Sequence, residues 1–194
     1  YTLQWKYKII SSYVPSGSAL DIGCGTGHFL KALQNKGWSI SGVEPDATAR
    51  NYARTILSEK HISSTLDEIQ GARFDIITMW HVLEHVSELH KYMQKLKALL
   101  NKKGKLFVAV PNHRSLDAKI YDTYWAGYDT PRHLYHFDQN TMKLLAKRFD
   151  FKIIDTIPMK LDAYYVSLLS EKYKGSGLMA YPKSFIPATD NRDK

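Results

Sequence analysis

Three glycines at every second position form the segment of the sequence with the clearest chemical meaning. The segment reads Asp21-Ile-Gly-Cys-Gly-Thr-Gly27; it follows a short apolar run and precedes residues with helical spacing. Glycine lets the backbone approach a ligand closely, and the free amides at the start of a helix attract anionic groups. His28 stands where the dinucleotide pattern G-x-G-x-x-G requires its last glycine. The spacing therefore predicts a ligand-binding turn and disfavours a pyrophosphate cradle.

An acidic side chain, Glu44, follows the next apolar run, within Gly-Val-Glu-Pro-Asp46. A second strand at 39–43 places this carboxylate at the carboxyl edge of a parallel sheet, where open α/β proteins bind ligands. A carboxylate has two oxygens and is suited to accept hydrogen bonds from both hydroxyls of a diol. Glu44 is therefore a candidate ligand-binding residue.

The segment His81-Val-Leu-Glu84-His85 spells H-x-x-E-H, the zinc pattern of inverted metalloproteases. We exclude a protease, because the segment directly follows an apolar run typical of a buried strand, whereas those enzymes need a long helix and a further carboxylate. Two interpretations remain open. In the first, Glu84 and His85 hold a divalent metal that lowers the pKa of a bound catechol-like group. In the second, they form local hydrogen bonds at the start of a helix. We assign no metal ligand here, because the second interpretation needs none.

Aromatic and basic side chains concentrate between 112 and 137, a stretch without a clear period. A long aperiodic stretch after a fifth strand indicates a functional loop, and aromatic walls with a few polar groups are typical of a small-molecule pocket. The alternative is that several of these aromatic residues only pack the loop onto the sheet. The candidate substrate-binding residues are Trp125, Arg132, Tyr135 and His136.

Two histidines, His85 and His133, are the candidates for a catalytic base. A base is needed only if a group of the bound substrate must lose a proton. A phenol with a pKa of about 10 would benefit from a histidine at this position. Both histidines are therefore predicted as catalytic residues.

Short apolar runs alternate with longer stretches of helical spacing, which is the pattern of an α/β protein with a mostly parallel sheet. The helix after the glycine turn ends at Gly37, and Asp46 and Asp138 can cap two later helices. Residues 163–169 fit either a seventh strand or a helix. The predicted strands lie at 19–22, 39–43, 61–63, 74–79, 105–110 and 151–157.

Four motifs, in the right order over 19–111, resemble those of the class I S-adenosylmethionine-dependent methyltransferases. They are the glycine turn, the Glu44 segment, the fourth-strand segment Phe-Asp75-Ile-Ile-Thr-Met-Trp-His-Val-Leu-Glu-His85-Val and the turn Leu-Leu-Asn-Lys-Lys-Gly104-Lys-Leu. The third motif resembles the subfamily that includes ubiquinone-biosynthesis O-methyltransferases, and Pro131-Arg-His-Leu-Tyr-His-Phe137 resembles related bacterial methyltransferases. The resemblance implies a Rossmann-like fold with a seven-stranded, mostly parallel sheet and helices on both faces.

The same resemblance implies that S-adenosylmethionine is the cofactor. Glu44 would hold the ribose hydroxyls, Asp21 would orient the methionine ammonium, and Trp80 would lie near the methionine and the methyl acceptor. The alternatives are that Asp21 ties the glycine turn, that Trp80 belongs to the core and that Asp67 caps a helix. We interpret Cys24 as a small filler rather than a nucleophile, because methyl transfer from a sulfonium needs no covalent enzyme intermediate. The implied cofactor-binding set is Asp21, Gly23, Cys24, Gly25, Glu44 and Trp80, with Leu66 and Asp67 at the adenine.

Composition narrows the remaining alternatives. The 194 residues are 44% hydrophobic and 24% charged, which excludes a disordered or coiled-coil protein. The sequence contains no run of 18 apolar residues, so it predicts no membrane span. The single cysteine favours a location in the reducing cytoplasm. The net charge of +8 suggests nucleic-acid binding, but the lysines are spread over predicted helix faces. We therefore expect a small-molecule acceptor and no nucleic-acid partner, while the oligomeric state stays open.

The chain divides into an N-terminal helix at 1–18, a methyltransferase domain at 19–170 and a C-terminal extension at 171–194. The first segment has one short apolar helical face and starts at Tyr1 rather than Met, so we expect it to be part of a longer cover over the cofactor. The predicted reaction transfers a methyl group to an oxygen or nitrogen of a small, aromatic or lipid-like acceptor. The alternatives are an RNA or protein methyltransferase, a catalytically silent binding subunit and a dinucleotide-dependent oxidoreductase.

Overall fold

The computed structural model describes residues 2–57 and 62–175 of the chain. The chain forms two compact units, Tyr1–Val110 and Pro111–Lys194. None of the described helices has both the length and the apolar character that crossing a membrane requires.

The first unit contains a parallel sheet with the strand order β3-β2-β1-β4-β5. The chain adds β2 and β3 on one side of β1 and then returns to add β4 and β5 on the other. The ends of β1 and β4 therefore form the switch point, where sheets of this kind bind ligands. The elements are α1 (Thr2–Tyr13), β1 (Ser18–Ile22), α2 (His28–Gln34), β2 (Ser39–Val43), α3 (Ala47–Ile56), β3 (Ile62–Ser63), β4 (Phe74–Trp80), α4 (Leu89–Leu99) and β5 (Leu100–Ala109).

Burial explains why β1 and β4 lie at the centre of this sheet. Ala19 of β1 is aligned with Ile40 of β2 and Ile76 of β4, and all three side chains belong to one apolar cluster with Leu30 and Leu33 of α2. Successive side chains of a strand point to opposite faces, and the residues that follow Ala19 and Ile76 are also buried. Both faces of the central strands are covered, as their continuous apolar sequences require.

The second unit is built around three helices, α5 (Leu116–Tyr121), α6 (Gln139–Arg148) and α7 (Lys160–Tyr173). Polar pairs join α5 to α7. The Tyr121 hydroxyl donates a hydrogen bond to Glu171 at 3.0 Å, and the Ser167 hydroxyl donates to Asp117 at 2.9 Å. Burial raises the pKa of Tyr121 to about 12, so the phenol remains a hydrogen-bond donor.

The structure confirms the α/β class with helices on both faces of a parallel sheet, and it confirms both predicted caps. The Asp46 side chain accepts a hydrogen bond from the Ala49 amide at 2.7 Å, at the start of α3. Asp138 and Thr141 form a reciprocal capping box at the start of α6. These caps are local in sequence, which is why the residue types alone predict them.

The predicted sheet differs from the structure at its C-terminal side. The described residues form five strands, not seven, because 151–157 forms no strand and 163–169 lies within α7. A strand requires a neighbour for its backbone N–H and C=O groups, and the side chains of 152–157 are exposed instead. β5 begins at Leu100, ahead of the predicted residue 105, with an irregular register opposite Phe74 and Ile76.

The division into 1–18, 19–170 and 171–194 stays a prediction. α1 occupies most of the first segment, and α7 continues across the boundary between the second and the third. Residues 176–194 of the predicted extension and His61 of the predicted third strand lie outside the described residues.

Candidate functional site

The glycine turn after β1 adopts a backbone that favours glycine at three positions. Gly23, Gly25 and Gly27 have φ angles of 70°, 53° and 78°, in the left-handed region. The amides of Gly23 and Cys24 both donate to the Val43 carbonyl, at 2.8 and 3.1 Å. These bonds hold the turn against the end of β2.

The turn is closely packed at Gly27 and open at Gly25. A Cβ at Gly27 would lie 2.9 Å from a methyl carbon of Leu57 and 3.0 Å from the Cβ of Ala53. A Cβ at Gly25 would meet no atom within 4 Å. The space for a ligand therefore lies beside Gly25, while Gly27 lets the turn approach α3.

The Glu44 carboxylate lies directly beside this open position. Its two oxygens accept hydrogen bonds from the amides of Gly25, at 2.7 Å, and Asp46, at 2.9 Å. The residue is only 9% exposed, so the carboxylate is fixed in orientation. Each oxygen still has capacity for a further hydrogen bond, which leaves room for two hydroxyl donors.

Asp21, the last-but-one residue of β1, is a buried carboxyl group. It accepts a hydrogen bond of 2.6 Å from the Thr78 hydroxyl of β4. Burial raises its pKa to about 7; the Thr78 hydrogen bond and the charge of Lys6 oppose this rise, and Glu44 adds to it. A cationic group close to Asp21 would favour the ionised carboxylate.

Trp80 ends β4 at the switch point, and two elements contact its ring. Phe29 of α2 meets the ring edge-to-face at 5.8 Å, and the Lys6 ammonium of α1 lies 4.5 Å from the ring centre. The indole N–H of Trp80 is buried and has no hydrogen-bond partner among the described residues. A buried donor without a partner is costly, so this N–H suits a ligand that brings an acceptor.

Cys24 fills space inside the turn. A Cβ at Gly42 would lie only 2.8 Å from the Cys24 sulfur, so the thiol packs directly on the backbone of β2. Burial raises the pKa of Cys24 to about 12, with smaller contributions from Asp21 and Glu44. The thiol therefore stays protonated near neutral pH, which supports the filler over a nucleophile.

The two predicted adenine residues lie in different environments. Leu66 is buried at the start of a 3-10 turn that spans Leu66–Glu68. The Asp67 carboxylate is 74% exposed and forms an ion pair with Lys95 of α4. Their role at an adenine stays a prediction.

The H-x-x-E-H segment forms a short turn, not a long helix. A 3-10 turn spans Leu83–His85, and His81 before it has a φ of 58°. Glu84 is fully buried, with His81 Nδ1 at 3.7 Å from its Oε1, whereas His85 is exposed. The two histidines of this segment therefore do not lie on one face of a long helix, as the zinc pattern of inverted metalloproteases requires. The proposed role of His85 as a base stays a prediction.

In the second unit, backbone carbonyls fix the tautomers of two histidines. His133 Nδ1 lies 2.9 Å from the Gly127 carbonyl, and His136 Nε2 lies 3.0 Å from the Tyr128 carbonyl. A carbonyl only accepts, so each of these ring nitrogens carries a proton. In the neutral ring, His133 therefore keeps its acceptor at Nε2, 3.9 Å from the Asp129 carboxylate.

The predicted substrate-binding residues form two groups within this unit. Trp125 is 5% exposed and packs with Ala118 and Tyr121, so it belongs to the core of the unit. Edge-to-face contacts run from Trp125 to Tyr128 and from Tyr128 to His136. Arg132 is bound to Asp129 through two nitrogens at 2.6 and 3.1 Å, and Tyr135 stacks on Phe137.

Three side chains that sequence reasoning did not select take part in the site of the first unit. Thr78 binds Asp21, Lys6 covers Trp80, and Arg50 donates to the carbonyls of Glu44 and Pro45. Lys6 lies one turn before buried Ile10 in α1, so the helical face was a usable signal. Thr78 carries no such signal, because its partner Asp21 lies on another strand, and Arg50 carries none, because its partners are backbone carbonyls that residue types do not reveal.

Residues 11–156 match the family described as Methyltransferase domain, which is three quarters of the chain. The chain belongs to this methyltransferase family. Its curated relatives include a ubiquinone biosynthesis O-methyltransferase of Glaesserella parasuis, 32% identical over 114 residues, covering 53% of this chain and 47% of that protein. A second, from Chelativorans, is 35% identical over 106 residues and covers 51% and 42%. The chain spans about half the length of the curated relatives it matches.

Solved structures of methyltransferases share the fold. A methyltransferase from Archaeoglobus fulgidus aligns over 93% of this chain and 88% of its own, with a TM-score of 0.64 and 16% identity. A possible histamine N-methyltransferase from Thermotoga maritima covers 78% and 72%, with a TM-score of 0.59 and 20% identity. Magnesium protoporphyrin IX methyltransferase from Synechocystis, with bound S-adenosylhomocysteine, covers 80% and 74%, with a TM-score of 0.60 and 16% identity. The fold is that of the class I methyltransferases.

Proposed function

We propose that this chain binds S-adenosylmethionine and transfers its methyl group to an oxygen or nitrogen of a small acceptor. The observation that carries the proposal is the Glu44 carboxylate, held by two backbone amides beside the open position at Gly25. The family match and the ubiquinone biosynthesis O-methyltransferases among the relatives support an oxygen acceptor. A location in the cytoplasm stays a prediction from the single cysteine.

The residues present fit this cofactor. Glu44 would accept hydrogen bonds from the ribose hydroxyls, and the buried Asp21 would gain a positive partner in the methionine ammonium. Trp80 offers an unpartnered indole N–H and an aromatic face that already carries a cation. S-adenosylmethionine, when bound, supplies an electrophilic methyl group on a sulfonium, and the other product is S-adenosylhomocysteine.

Positioning accounts for most of what the chain contributes. Orienting the two reactants supplies roughly 7 kcal/mol or more of the barrier without any covalent chemistry. The rigid carboxylate of Glu44 and the glycine turn fix the cofactor side. If the acceptor must lose a proton, His133 Nε2 or a nitrogen of His85 takes it.

The first experiment decides between a methyltransferase and a dinucleotide-dependent oxidoreductase. S-adenosylhomocysteine and NADH are titrated separately into the chain by calorimetry. We expect S-adenosylhomocysteine to bind and NADH to bind far more weakly, because His28 replaces the last glycine of the dinucleotide pattern. Tighter binding of NADH would overturn the proposal. A labelled-methyl screen of phenols, amines, sugars and RNA then separates a catalyst from a silent binding subunit.

Two histidine variants test whether His133 is the residue that takes the proton from the acceptor. In His133→Asn the amide nitrogen can replace Nδ1 at the Gly127 carbonyl, while Nε2 is lost. We expect His133→Asn to lower turnover by about 100-fold or more, with unchanged affinity for S-adenosylhomocysteine. His90→Gln, at an exposed histidine of α4, is the control and should leave turnover unchanged. Full turnover of His133→Asn would move the base to His85.

A further inference from the structure

Arg50 connects α3 to the turn that carries Glu44. The chain leaves β2 at Val43, so the carbonyls of Glu44 and Pro45 lie beyond the strand. Arg50 Nη1 donates to both of them, at 2.7 Å each. Backbone carbonyls outside a ladder need a donor, and the guanidinium supplies one charged nitrogen to two acceptors.

The backbone of Arg50 is anchored to the same turn. Its amide donates to the Asp46 carbonyl at 2.9 Å, in the first turn of α3, where the Asp46 side chain is the cap. Three consecutive residues, 44, 45 and 46, are thus bound by a single residue of α3. The main chain at Glu44 is therefore held by Arg50 in addition to the hydrogen bonds that the Glu44 carboxylate accepts from Gly25 and Asp46.

The charge of Arg50 also reaches the loop after β3. The pKa of the Glu68 carboxyl lies below its usual range, mainly because Ser64 donates hydrogen bonds to it, and Arg50 lowers it further. Glu68 ends the 3-10 turn that begins at Leu66, a predicted adenine residue. The guanidinium that binds the Glu44 turn therefore also acts, through its charge, on the turn proposed for the adenine.

We propose that Arg50 is a positioning residue for ribose recognition, which acts by holding the Glu44 turn and does not touch the ligand. The proposal rests on the proposed function, since it takes Glu44 as the ribose acceptor. Without Arg50 the carbonyls of Glu44 and Pro45 lose their donor and the turn loosens. The carboxylate then no longer distinguishes a ribose with both hydroxyls from one that lacks a hydroxyl.

The test compares two ligands, S-adenosylhomocysteine and its 2′-deoxyribose analogue, by calorimetry. We expect the wild-type chain to bind the deoxy analogue about tenfold more weakly or worse, because a hydrogen bond to a charged group is lost. In Arg50→Gln the ratio of the two dissociation constants, deoxy analogue over S-adenosylhomocysteine, should fall to about threefold or less. The reason is that the carboxylate is no longer held for the second hydroxyl. Arg50→Lys should retain part of the ratio, because a lysine can still donate to one carbonyl.

Arg54→Gln is the matched control. Arg54 stands one turn further along α3 and donates to the Ile62 carbonyl of β3 at 2.9 Å, so its loss weakens the same helix without releasing the Glu44 turn. We expect Arg54→Gln to keep the wild-type ratio. Equal ratios in wild type and in a folded Arg50→Gln would overturn the role of Arg50. No binding of either ligand by the wild type would instead overturn the proposed function.

Discussion

Asp21 shows how burial and chemistry are linked at a single residue. Its carboxyl group has one hydroxyl donor, Thr78, and is otherwise removed from water, so the protonated form is favoured and the pKa rises to about 7. A carboxyl group in this state lowers stability at the pH where it must ionise. The proposed binding of an ammonium group offsets this penalty, which gives Asp21 a reason to be buried.

The first prediction is that Asp21→Asn is stabilised relative to wild type as pH rises. The unfolded Asp21 ionises near its ordinary pKa, about 4, and the folded one only near 7, so its stabilising contribution is complete at low pH and is lost through this range. Between about pH 5 and 8 the free energy of unfolding of the wild type should fall by about 3 kcal/mol more than that of the variant. Urea unfolding at both pH values measures the difference.

Asp75→Asn is the control for this prediction because its shift has the opposite sign. The Ser18 amide, Asn101 and the Ser18 hydroxyl hold the pKa of Asp75 below its usual range, so its ionised form stabilises the fold. Asp75→Asn should be less stable than wild type at both pH values. Parallel pH profiles for Asp21→Asn and wild type would contradict the account of Asp21.

The residues of the candidate site were predictable where their roles are local. The glycine turn, Glu44 after β2 and the Asp46 cap each follow from residue type and spacing, and the structure joins them through the Gly25 and Asp46 amides. Lys6 was not selected, because its partner Trp80 lies on β4, and Arg50 was not selected, because its partners are backbone carbonyls, which no residue type marks. A lysine or arginine on a helix is usually a solvated side chain; the place of Lys6 one turn before Ile10 was a usable signal, whereas only the fold shows the contacts of Arg50.

At the scale of elements, the turn between β1 and α2 combines tight packing with an open position. The second prediction is that Gly25→Ala costs little stability, about 1 to 2 kcal/mol for a left-handed alanine, yet abolishes binding of S-adenosylhomocysteine. The added methyl would meet no protein atom within 4 Å and would occupy the space proposed for the ligand. Chemical denaturation and calorimetry on the same preparation measure both effects.

Gly37→Ala isolates the backbone cost. Gly37 has a φ of 84° and equally open surroundings, but it follows α2 at the opposite end from the glycine turn. We expect the same loss of stability and unchanged affinity for S-adenosylhomocysteine. If Gly25→Ala bound as tightly as Gly37→Ala, the ligand would not lie beside Gly25.

The sheet shows which strands the sequence pattern predicts and which it does not. β1, β2 and β4 and their order of appearance follow from apolar runs between helical stretches, because inner parallel strands are buried on both faces. The run at 151–157 has the same composition but no neighbouring strand among the described residues, and its side chains are exposed. Pairing partners are a property of the tertiary structure, so an apolar run alone cannot supply them. Residues 163–169, which fit a strand or a helix by pattern, form a helix.

For the whole molecule, the net charge of +8 makes weak RNA binding at low salt an expected side effect. The third prediction is that binding of a single-stranded RNA falls about tenfold or more between roughly 50 and 200 mM salt, because phosphate contacts release counterions. Binding of S-adenosylhomocysteine should change only slightly. Filter binding and calorimetry at both salt concentrations make the comparison. Salt-resistant RNA binding with methyl transfer to RNA would favour the RNA methyltransferase instead.

The central claim is that the glycine turn and Glu44 hold the cofactor ribose, and calorimetry of S-adenosylhomocysteine with Glu44→Ala tests it most directly. The variant loses the acceptor of two hydroxyls, at about 1.5 to 3 kcal/mol for each hydrogen bond to a charged group. Glu88→Ala, at an exposed residue paired with Lys91, is the control and should bind as the wild type does. We predict at least about a tenfold loss of affinity for a folded Glu44→Ala. Wild-type affinity in that variant would contradict the claim.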